Sequence, residues 1–422
     1  MVSSLTKKPT ARGERGRSVR LVDPGMKVLI LATDIFTRGG IARYTSTLAS
    51  ALGGTLGAEN VDVLCFFRWG YKGNLPKEFG VLGMVSGSAR ASMWSRLRFL
   101  FEVAKAGMRG YDLVIANHIA LAPVAAAMKV FFRTPYWVAC HCVEVWWGTS
   151  PWRRAALRNA DVVVPVSRYT ASVVQKIEGV QSSRVKVLYN AIPNDFVDLL
   201  MAHDPLPALV ANEKKKSILL SVCSLAQGNE FKGVDTVIRA LPGVLRAMPD
   251  VRYVVVGEGQ IRKSLEKLAA ETGVAQHVTF AGEVSDTELA ELYRSCDVFV
   301  LPSRGKGVGG VAGGEGFGRV YVEAALAEKP VVGSRSGGAS EAVLHGKTGF
   351  VVDPESSEEV AEALVTILQD PQLAARMGSE GRAWCLGAFS EDALCGSLRK
   401  LLRPYGFRNE GLQTLPQVGG GL

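Results

Sequence analysis

Short apolar runs alternate with stretches of helical periodicity along most of the chain. In the first half the runs are 26–32, 61–67, 112–117, 136–140, 161–166 and 184–189, and in the second half they are 217–223, 252–257, 277–282, 297–302, 330–334 and 349–353. Such runs are typical of parallel strands that are buried on both faces, and strand–helix–strand order requires a parallel sheet covered by helices. The pattern therefore predicts an α/β fold with two Rossmann-like, doubly wound parallel-sheet domains that face a central cleft.

Length and composition agree with this division. The chain has 422 residues, of which 47% are hydrophobic and 21% are charged, as in ordinary globular proteins and beyond the size at which one core usually keeps growing. We predict a disordered basic tail over residues 1–25, an N-terminal domain over 26–200, a C-terminal domain over 201–390, and a helix and tail that cross back over 391–422. The proline-bearing polar stretch 191–216 marks the boundary between the two domains.

The net charge of +9 is unevenly distributed. Residues 1–200 carry 26 Lys and Arg against 13 Asp and Glu, a net charge of +13, whereas residues 201–422 carry 23 against 27, a net charge of −4. Part of the excess falls in the segment 88–110, SARASMWSRLRFLFEVAKAGMRG, which predicts a basic amphipathic helix. Such a helix either lies on an anionic membrane or packs its apolar stripe on the sheet while its arginines stay solvated.

Other features bear on partners and location. The segment 143–156, VEVWWGTSPWRRAA, carries tryptophans and arginines that would stack on sugar rings or contact lipid head groups. No known nucleic-acid-binding motif is present, so nucleic acid is not a predicted partner. No apolar run approaches the roughly 20 residues that span a bilayer, and the seven scattered cysteines are typical of reduced thiols. We expect a cytoplasmic protein, either free or at the inner face of the cell membrane.

A glycine-rich turn is the clearest candidate site. The run 297–302 is followed by a glycine-rich loop, by Glu315-Gly316-Phe317-Gly318 and then by a helical pattern. Glycines let backbone amides approach a phosphate closely, and a helix N-terminus supplies unsatisfied N–H groups. We expect a diphosphate at this turn, with Glu315 beside it and Glu323 accepting hydrogen bonds from two neighbouring hydroxyls. The structural alternative is an N-terminal charge and a solvated helix residue.

The segment 315–354 resembles characteristic segments of a known family. It matches the E-x7-E segment and the Gly-Gly-x-x-Glu loop of glycosyltransferase family 4 (group 1), retaining enzymes with the GT-B fold of two Rossmann-like domains. Further matching segments occur in the expected order at 39–52, 158–174, 231–244 and 253–259. Several segments in register are a far stronger signal than one E-x7-E alone. The resemblance covers most of residues 26–390.

The resemblance implies a retaining hexosyltransferase. Such an enzyme moves a sugar from a nucleotide diphosphate donor, linked to UDP, GDP or ADP, to a saccharide or lipid-linked saccharide acceptor. The N-terminal domain would bind the acceptor, the C-terminal domain would bind the donor, and the product would serve cell-envelope polysaccharide or glycolipid assembly. A non-catalytic sugar-nucleotide-binding subunit and an epimerase or phosphorylase on the same fold are the alternatives.

The resemblance also implies roles for particular residues. The expected catalytic residues are Glu315, facing the sugar hydroxyls, Lys232, holding the departing β-phosphate, and His118, near the anomeric carbon or the acceptor. The expected donor-binding residues are Gly39, Gly40, Ser224, Lys232, Val284, Gly316, Phe317, Gly318 and Glu323. Of these, Glu323 would bind the ribose, and the base would lie around Glu283 and Val284.

Two further expectations concern the charge on the diphosphate. No Asp-x-Asp segment is present, so we expect neither a metal nor another cofactor, and Lys232 with the helix amides would stabilise the leaving group. The family usually carries an arginine where this chain has Ser224. Either Arg304 or Lys306 compensates for that missing guanidinium, or transfer is weak.

Overall fold

Two parallel sheets of six strands each form the framework. The computed structural model describes residues 25–36, 39–67, 76–86, 92–202, 216–305 and 314–407. The strands of the first sheet are β1 (Val28–Ala32), β2 (Val61–Phe67), β3 (Gly80–Ser86), β4 (Leu113–Ala116), β5 (Tyr136–Cys140) and β6 (Val162–Pro165). Those of the second are β7 (Ser217–Val222), β8 (Val251–Val256), β9 (Val278–Gly282), β10 (Val298–Val300), β11 (Val331–Ser334) and β12 (Gly349–Val352). The fold is GT-B, as predicted.

Helices cover both faces of each sheet. On the first domain they are α1 (Gly40–Leu56), α2 (Met93–Gly107), α3 (Ala122–Phe132), α4 (Val143–Trp146), α5 (Pro151–Asn159) and α6 (Arg168–Glu178). From the boundary onward they are α7 (Asn194–Met201), α8 (Val234–Ala247), α9 (Arg262–Glu271), α10 (Asp286–Ser295), α11 (Arg319–Leu326), α12 (Ala339–Ala342), α13 (Ser357–Gln369), α14 (Pro371–Phe389) and α15 (Glu391–Leu402). No described helix combines the length and the apolar character that a bilayer crossing requires.

The two sheets have the same strand order. The first runs β3-β2-β1-β4-β5-β6, and the second, read from β9, runs β9-β8-β7-β10-β11-β12. In each sheet the strand order reverses at one place, between β1 and β4 in the first sheet and between β7 and β10 in the second. Ligands of such sheets bind beyond the carboxyl ends of the strands at that place. The topology therefore places a binding site where the ends of β1 and β4 meet the ends of β7 and β10.

The first sheet differs from the prediction at one edge. The predicted strand 184–189 makes a single bridge, Val163 with Val185, although Lys186 and Leu188 donate backbone N–H groups to the carbonyls of Val163 and Pro165 at 2.9 and 3.0 Å. Its alternating pattern reflects an extended chain that borders β6. The strand that the prediction missed is β3, GVLGMVS, which brings the sheet to six strands. Its two glycines interrupt the apolar run by which it could have been predicted.

The chain returns to the first domain with α15, and residues 408–422 of the predicted tail lie outside the described residues. Ile192 donates its backbone N–H to the carbonyl of Phe389 at 3.0 Å, α15 packs against α1, and the Trp137 indole N–H donates to the Tyr405 hydroxyl at 3.0 Å. The proposed boundary stretch contains α7, which packs on α10. The predicted tail over 1–25 lies outside the described residues apart from Gly25. All seven cysteines are free thiols.

Candidate active site

A cavity of about 820 Å³ lies between the two domains. From the first domain it is lined by residues that follow β1 and β5, including Gly39, Gly40 and His141. From the second it is lined by residues that follow β7, β9 and β10, including Ser224 and Val284. This is the crevice that the strand order predicts, except that the segment after β5 lines it and the segment after β4 does not. Its volume is typical of a site for a ligand of nucleotide-sugar size.

Most of the predicted site residues come together in this cavity. The predicted residues that line it are Gly39, Gly40, Ser224, Lys232, Val284, Glu315, Gly316, Phe317 and Gly318, with Glu283 beside Val284. Two predicted residues, His118 and Glu323, do not line it. The structure therefore brings nearly all of the residues predicted to bind the donor into one cavity, from segments that are far apart in sequence.

Lys232 and Glu315 form an ion pair within the cavity wall. The Lys232 ammonium donates to Glu315 Oε1, and the Ser303 hydroxyl donates to the same oxygen at 3.2 Å. Burial alone would lower the pKa of Lys232, but the Glu315 carboxylate outweighs it and holds the pKa above its ordinary value. Lys232 is therefore charged at neutral pH. Gly233 follows with a φ of +77°, a conformation that glycine adopts at little cost. Any other residue would clash here, because a Cβ would lie 2.1 Å from the Pro302 carbonyl oxygen.

The glycine turn before α11 is pressed against the other domain. A Cβ on Gly316 would lie 2.4 Å from the His141 carbonyl oxygen and 2.9 Å from Cys142 Cβ. Gly318 precedes α11 with a φ of +84°, a conformation that glycine adopts at little cost. The backbone carbonyl of Glu315 accepts the Gly338 N–H at 2.7 Å, which fixes the turn to the Gly-Gly-x-x-Glu loop.

Charged contacts also join the two domains. The Glu341 carboxylate accepts the backbone N–H groups of Arg168 and Tyr169 at 2.9 and 2.8 Å, at the N-terminus of α6. A helix N-terminus favours a carboxylate in this position. Across the cavity, Arg43 of α1 pairs with Asp286 of α10. Together with the Gly316 contact, these interactions set the width of the cleft.

Glu323 is buried beneath the cavity rather than in its wall. Its carboxylate accepts the Tyr293 hydroxyl at 2.9 Å and the Arg319 Nε–H at 2.9 Å. Arg319, the first residue of α11, lines the cavity in its place. The sequence reasoning missed Arg319. The available signal was its position four residues before Glu323, which puts both side chains on one face of the helix.

Two histidines are candidates for the position predicted near the anomeric carbon. His118 follows β4, but its Nδ1 accepts the Ala120 backbone N–H at 3.1 Å, so the ring turns back onto its own chain. Burial lowers the pKa of His118, with the Glu144 carboxylate opposing that shift. His141 follows β5 and lines the cavity, with Nε2 2.8 Å from the Asn117 carbonyl oxygen. His141 is thus the histidine that faces the cleft, and the sequence reasoning missed it.

Glu144 brings a carboxylate to the cavity from the first domain. Its side chain accepts the backbone N–H groups of His141 at 2.5 Å and of Cys142 at 3.0 Å. Burial would raise the pKa of Glu144, but electrostatic attraction to the neighbouring His141 and these N–H donors lower it below its ordinary value. The carboxylate is therefore ionised at neutral pH and holds the loop that contacts Gly316.

The arginine that the family usually carries at position 224 is a serine here, and neither Arg304 nor Lys306 is seen as an unpaired cation in the described structure. Ser224 accepts the Ala226 N–H at 3.3 Å through its hydroxyl. The Arg304 guanidinium lines the cavity but pairs with Asp235 and donates to Thr236 Oγ1 at 3.0 Å. Its charge is therefore already shared with a carboxylate. Lys306 lies outside the described residues.

The architecture and the site define a two-domain glycosyltransferase of the GT-B class. Two family models match the chain, Glycosyltransferase Family 4 over residues 38–196 and Glycosyl transferases group 1 over residues 208–384. The chain belongs to glycosyltransferase family 4 (group 1), as predicted, and is an enzyme that uses a nucleotide-sugar donor.

Relatives of known name support this membership. The chain is 37% identical over 289 residues to a GDP-mannose-dependent alpha-(1-6)-phosphatidylinositol monomannoside mannosyltransferase of Mycobacterium tuberculosis, covering 67% of this chain and 71% of the relative. It is 38% identical over 254 residues to the enzyme of that name from Mycolicibacterium smegmatis, covering 58% and 64%. Neither relative supports the binding-subunit or epimerase alternative.

Solved structures share the fold. Anabaena Alr3699/HepE in complex with UDP superposes with a TM-score of 0.74 at 23% identity, over 90% of this chain and 100% of that one. Sucrose-phosphate synthase from Thermosynechococcus elongatus superposes with a TM-score of 0.71 at 21% identity, over 90% and 98%. At these identities the likeness supports the fold.

Proposed function

We propose that this enzyme transfers mannose from GDP-mannose to a mannosylated phosphatidylinositol, with retention of configuration, at the surface of an anionic membrane. The observation that carries the proposal is the Lys232–Glu315 ion pair beside the glycine turn, in a cavity that both domains line. The choice of donor and acceptor rests on the names of the mycobacterial relatives.

The cavity supplies the groups that such a transfer needs. The donor diphosphate would rest on the amides of the turn 316–318 and the N-terminus of α11, with Lys232 beside it. An ammonium group has three donors, so Lys232 can keep Glu315 and bind a phosphate oxygen at the same time. Glu315, held in this way, would accept hydrogen bonds from sugar hydroxyls and fix the sugar ring.

The bond changes follow from this placement. The bond from the sugar C1 to the β-phosphate oxygen breaks, and its electron pair stays on the departing diphosphate. The acceptor hydroxyl oxygen forms the new bond to C1 on the same face, and its proton passes to the departing phosphate oxygen. Lys232 and the turn amides stabilise the growing negative charge, which is the largest contribution a protein usually makes to such a step. His141 lies on the opposite wall, where the acceptor would approach.

The donor and the absence of a cofactor are tested in one assay. We expect release of GDP from GDP-mannose when mannosylated phosphatidylinositol is present, with EDTA in the buffer, and no comparable release from UDP-glucose or ADP-glucose. Glu315→Gln keeps the shape but loses the charge that orients Lys232, so we expect release to fall by about 100-fold. Binding of GDP-mannose without release would favour the binding subunit, and activity that requires added magnesium would contradict the metal-free proposal.

The acceptor side carries an exposed apolar surface on α2. The exposed residues are Met93, Trp94, Leu97, Leu100 and Phe101, with Met108 directly after the helix, whereas the helix buries Phe99, Val103 and Ala106. The helix therefore packs on the first domain through its buried residues, as the alternative requires, and a second apolar stripe faces solvent. The neighbouring helix α3 adds exposed Val130 and Phe131.

Basic residues flank this surface. Arg96, Arg98 and Lys105 lie on α2, and Arg109 and Arg133 lie at the ends of α2 and α3. An apolar strip edged by cations suits the head-group region of an anionic bilayer, where buried apolar side chains and electrostatic attraction add. We infer that α2 and α3 place the acceptor domain on the membrane that contains the lipid acceptor.

Vesicle flotation tests the membrane contact. We expect binding to phosphatidylglycerol vesicles at low salt, little binding to phosphatidylcholine vesicles, and release by high salt. The double change Trp94→Glu and Phe101→Glu should reduce the bound fraction by about tenfold, since it removes two insertions and adds repulsion. Leu386→Glu, on an exposed site of α14, is the matched control. Equal binding of the double variant, or no binding of the unchanged protein, would contradict the inference.

A further inference from the structure

Arg319 holds an unusual position in the cavity wall. Its side chain is only 9% exposed, and its Nε–H donates to Glu323 Oε1 at 2.9 Å. Its two terminal nitrogens, Nη1 and Nη2, are buried and meet no acceptor in the described parts of the chain. A buried, charged donor without an acceptor is costly, so a site built in this way calls for an anionic ligand.

We propose that Arg319 binds the diphosphate of the nucleotide sugar and supplies the guanidinium that Ser224 does not. The proposal rests on the proposed function in one respect, that the cavity takes a nucleoside diphosphate. Arg319 is the first residue of α11, whose N-terminal N–H groups and helix dipole favour negative charge at the same place. The guanidinium is a planar fork that matches two phosphate oxygens, which a lysine cannot do.

The side chain is held ready for this role. Glu323 fixes the guanidinium plane through Nε, and Tyr293 fixes the Glu323 carboxylate through its other oxygen. Little rotamer freedom is left to lose when a ligand binds, so the terminal N–H groups are preorganised. Glu323 thus acts here as a positioning residue for Arg319.

The other arginines of the cavity are committed elsewhere. Among the described residues, three arginines line it. Arg43 directs a terminal nitrogen at Asp286, and Arg304 directs one at Asp235. Binding a phosphate through either would require breaking or sharing an existing ion pair. Arg319 also shares its charge with a carboxylate, but it does so through Nε alone, so both of its terminal nitrogens remain for an anion.

The test compares ligands that do and do not carry the diphosphate. We expect Arg319→Gln to weaken GDP binding by about 10- to 100-fold in calorimetry, as for the loss of charge-assisted hydrogen bonds, and to leave guanosine binding unchanged. Arg319→Lys keeps the charge without the fork and should fall between. Arg335→Gln, an exposed arginine that pairs with Glu359 outside the cavity, is the matched control.

The outcomes separate this proposal from the proposed function. If the unchanged protein binds none of GDP, UDP and ADP, the proposed function fails and this proposal fails with it. If the unchanged protein binds GDP and both Arg319 variants bind it equally well, the Arg319 proposal alone is wrong. Equal losses for GDP and guanosine, with a lower melting temperature, would assign Arg319 a structural role. Partial recovery of GDP binding by Ser224→Arg in the Arg319→Gln background would support the exchange of the two positions.

Discussion

Replacing Lys232 with methionine is expected to lower kcat by about 100- to 1,000-fold, the usual effect of removing one preorganised donor from a developing anion. Methionine keeps most of the side-chain volume but removes the ammonium charge that Glu315 holds in the cavity wall. It also leaves the Glu315 carboxylate with only the Ser303 hydroxyl as a side-chain partner in the described structure. The measurement is GDP release under saturating GDP-mannose and acceptor.

Two comparisons make this result specific. Lys267→Met removes an exposed lysine that pairs with Glu271 on α9, and kcat should be unchanged. Adding Glu315→Gln to Lys232→Met should cost far less than the separate effects combined, because the two residues act as one unit. A loss below threefold in kcat for Lys232→Met would mean that Lys232 does not contact the departing phosphate.

Replacing Gly316 with alanine is expected to reduce kcat/KM by about 100-fold, since a misplacement of about 1 Å can have that effect on a well-aligned reaction. The new Cβ would lie 2.4 Å from the His141 carbonyl oxygen, and both atoms belong to backbone-fixed parts of different domains. Either the domains separate slightly or the glycine turn moves. In both cases the donor and the acceptor side lose their alignment.

The matched control is Gly387→Ala. Gly387 lies on α14, and apart from its chain neighbours and the backbone of its own helix no atom lies within 4 Å of the position that its Cβ would take. Alanine should therefore be tolerated and should stabilise the helix by about 0.5–1 kcal/mol. The Gly316→Ala protein should melt within a few degrees of the unchanged protein, because the clash lies between domains and not in a core. Full activity of Gly316→Ala would show that the contact with His141 is not needed during turnover.

The residues that we propose for donor binding were largely accessible from the sequence. Glycines directly before a helical pattern indicate the turn at 315–318. Lys232 lies at the end of the loop that follows the predicted strand 217–223. These are local signals, since each depends on a few consecutive residues and their backbone preferences. The family resemblance then assigned them to one ligand, and the structure brings them to one cavity.

The choice between the two histidines was not accessible in the same way. His118 and His141 each follow a buried strand, and nothing in their neighbouring residues separates them. His118 is turned back by a hydrogen bond from Ala120, whereas His141 is held forward against the Asn117 carbonyl. That difference depends on how two strands and the opposite domain pack, which are contacts between residues far apart in the chain.

The sequence by itself determined the two-domain α/β fold and the glycine turn before α11, because buried strands and glycine turns are encoded by short patterns. Only the tertiary structure decided which strand ends face the cleft, that Gly316 touches His141, and that Arg319 rather than Glu323 reaches the cavity. It also showed that β3, an edge strand interrupted by glycines, completes the first sheet. The physical reason is that burial and unmet hydrogen-bonding capacity belong to the assembled domains, and no short segment carries either property alone.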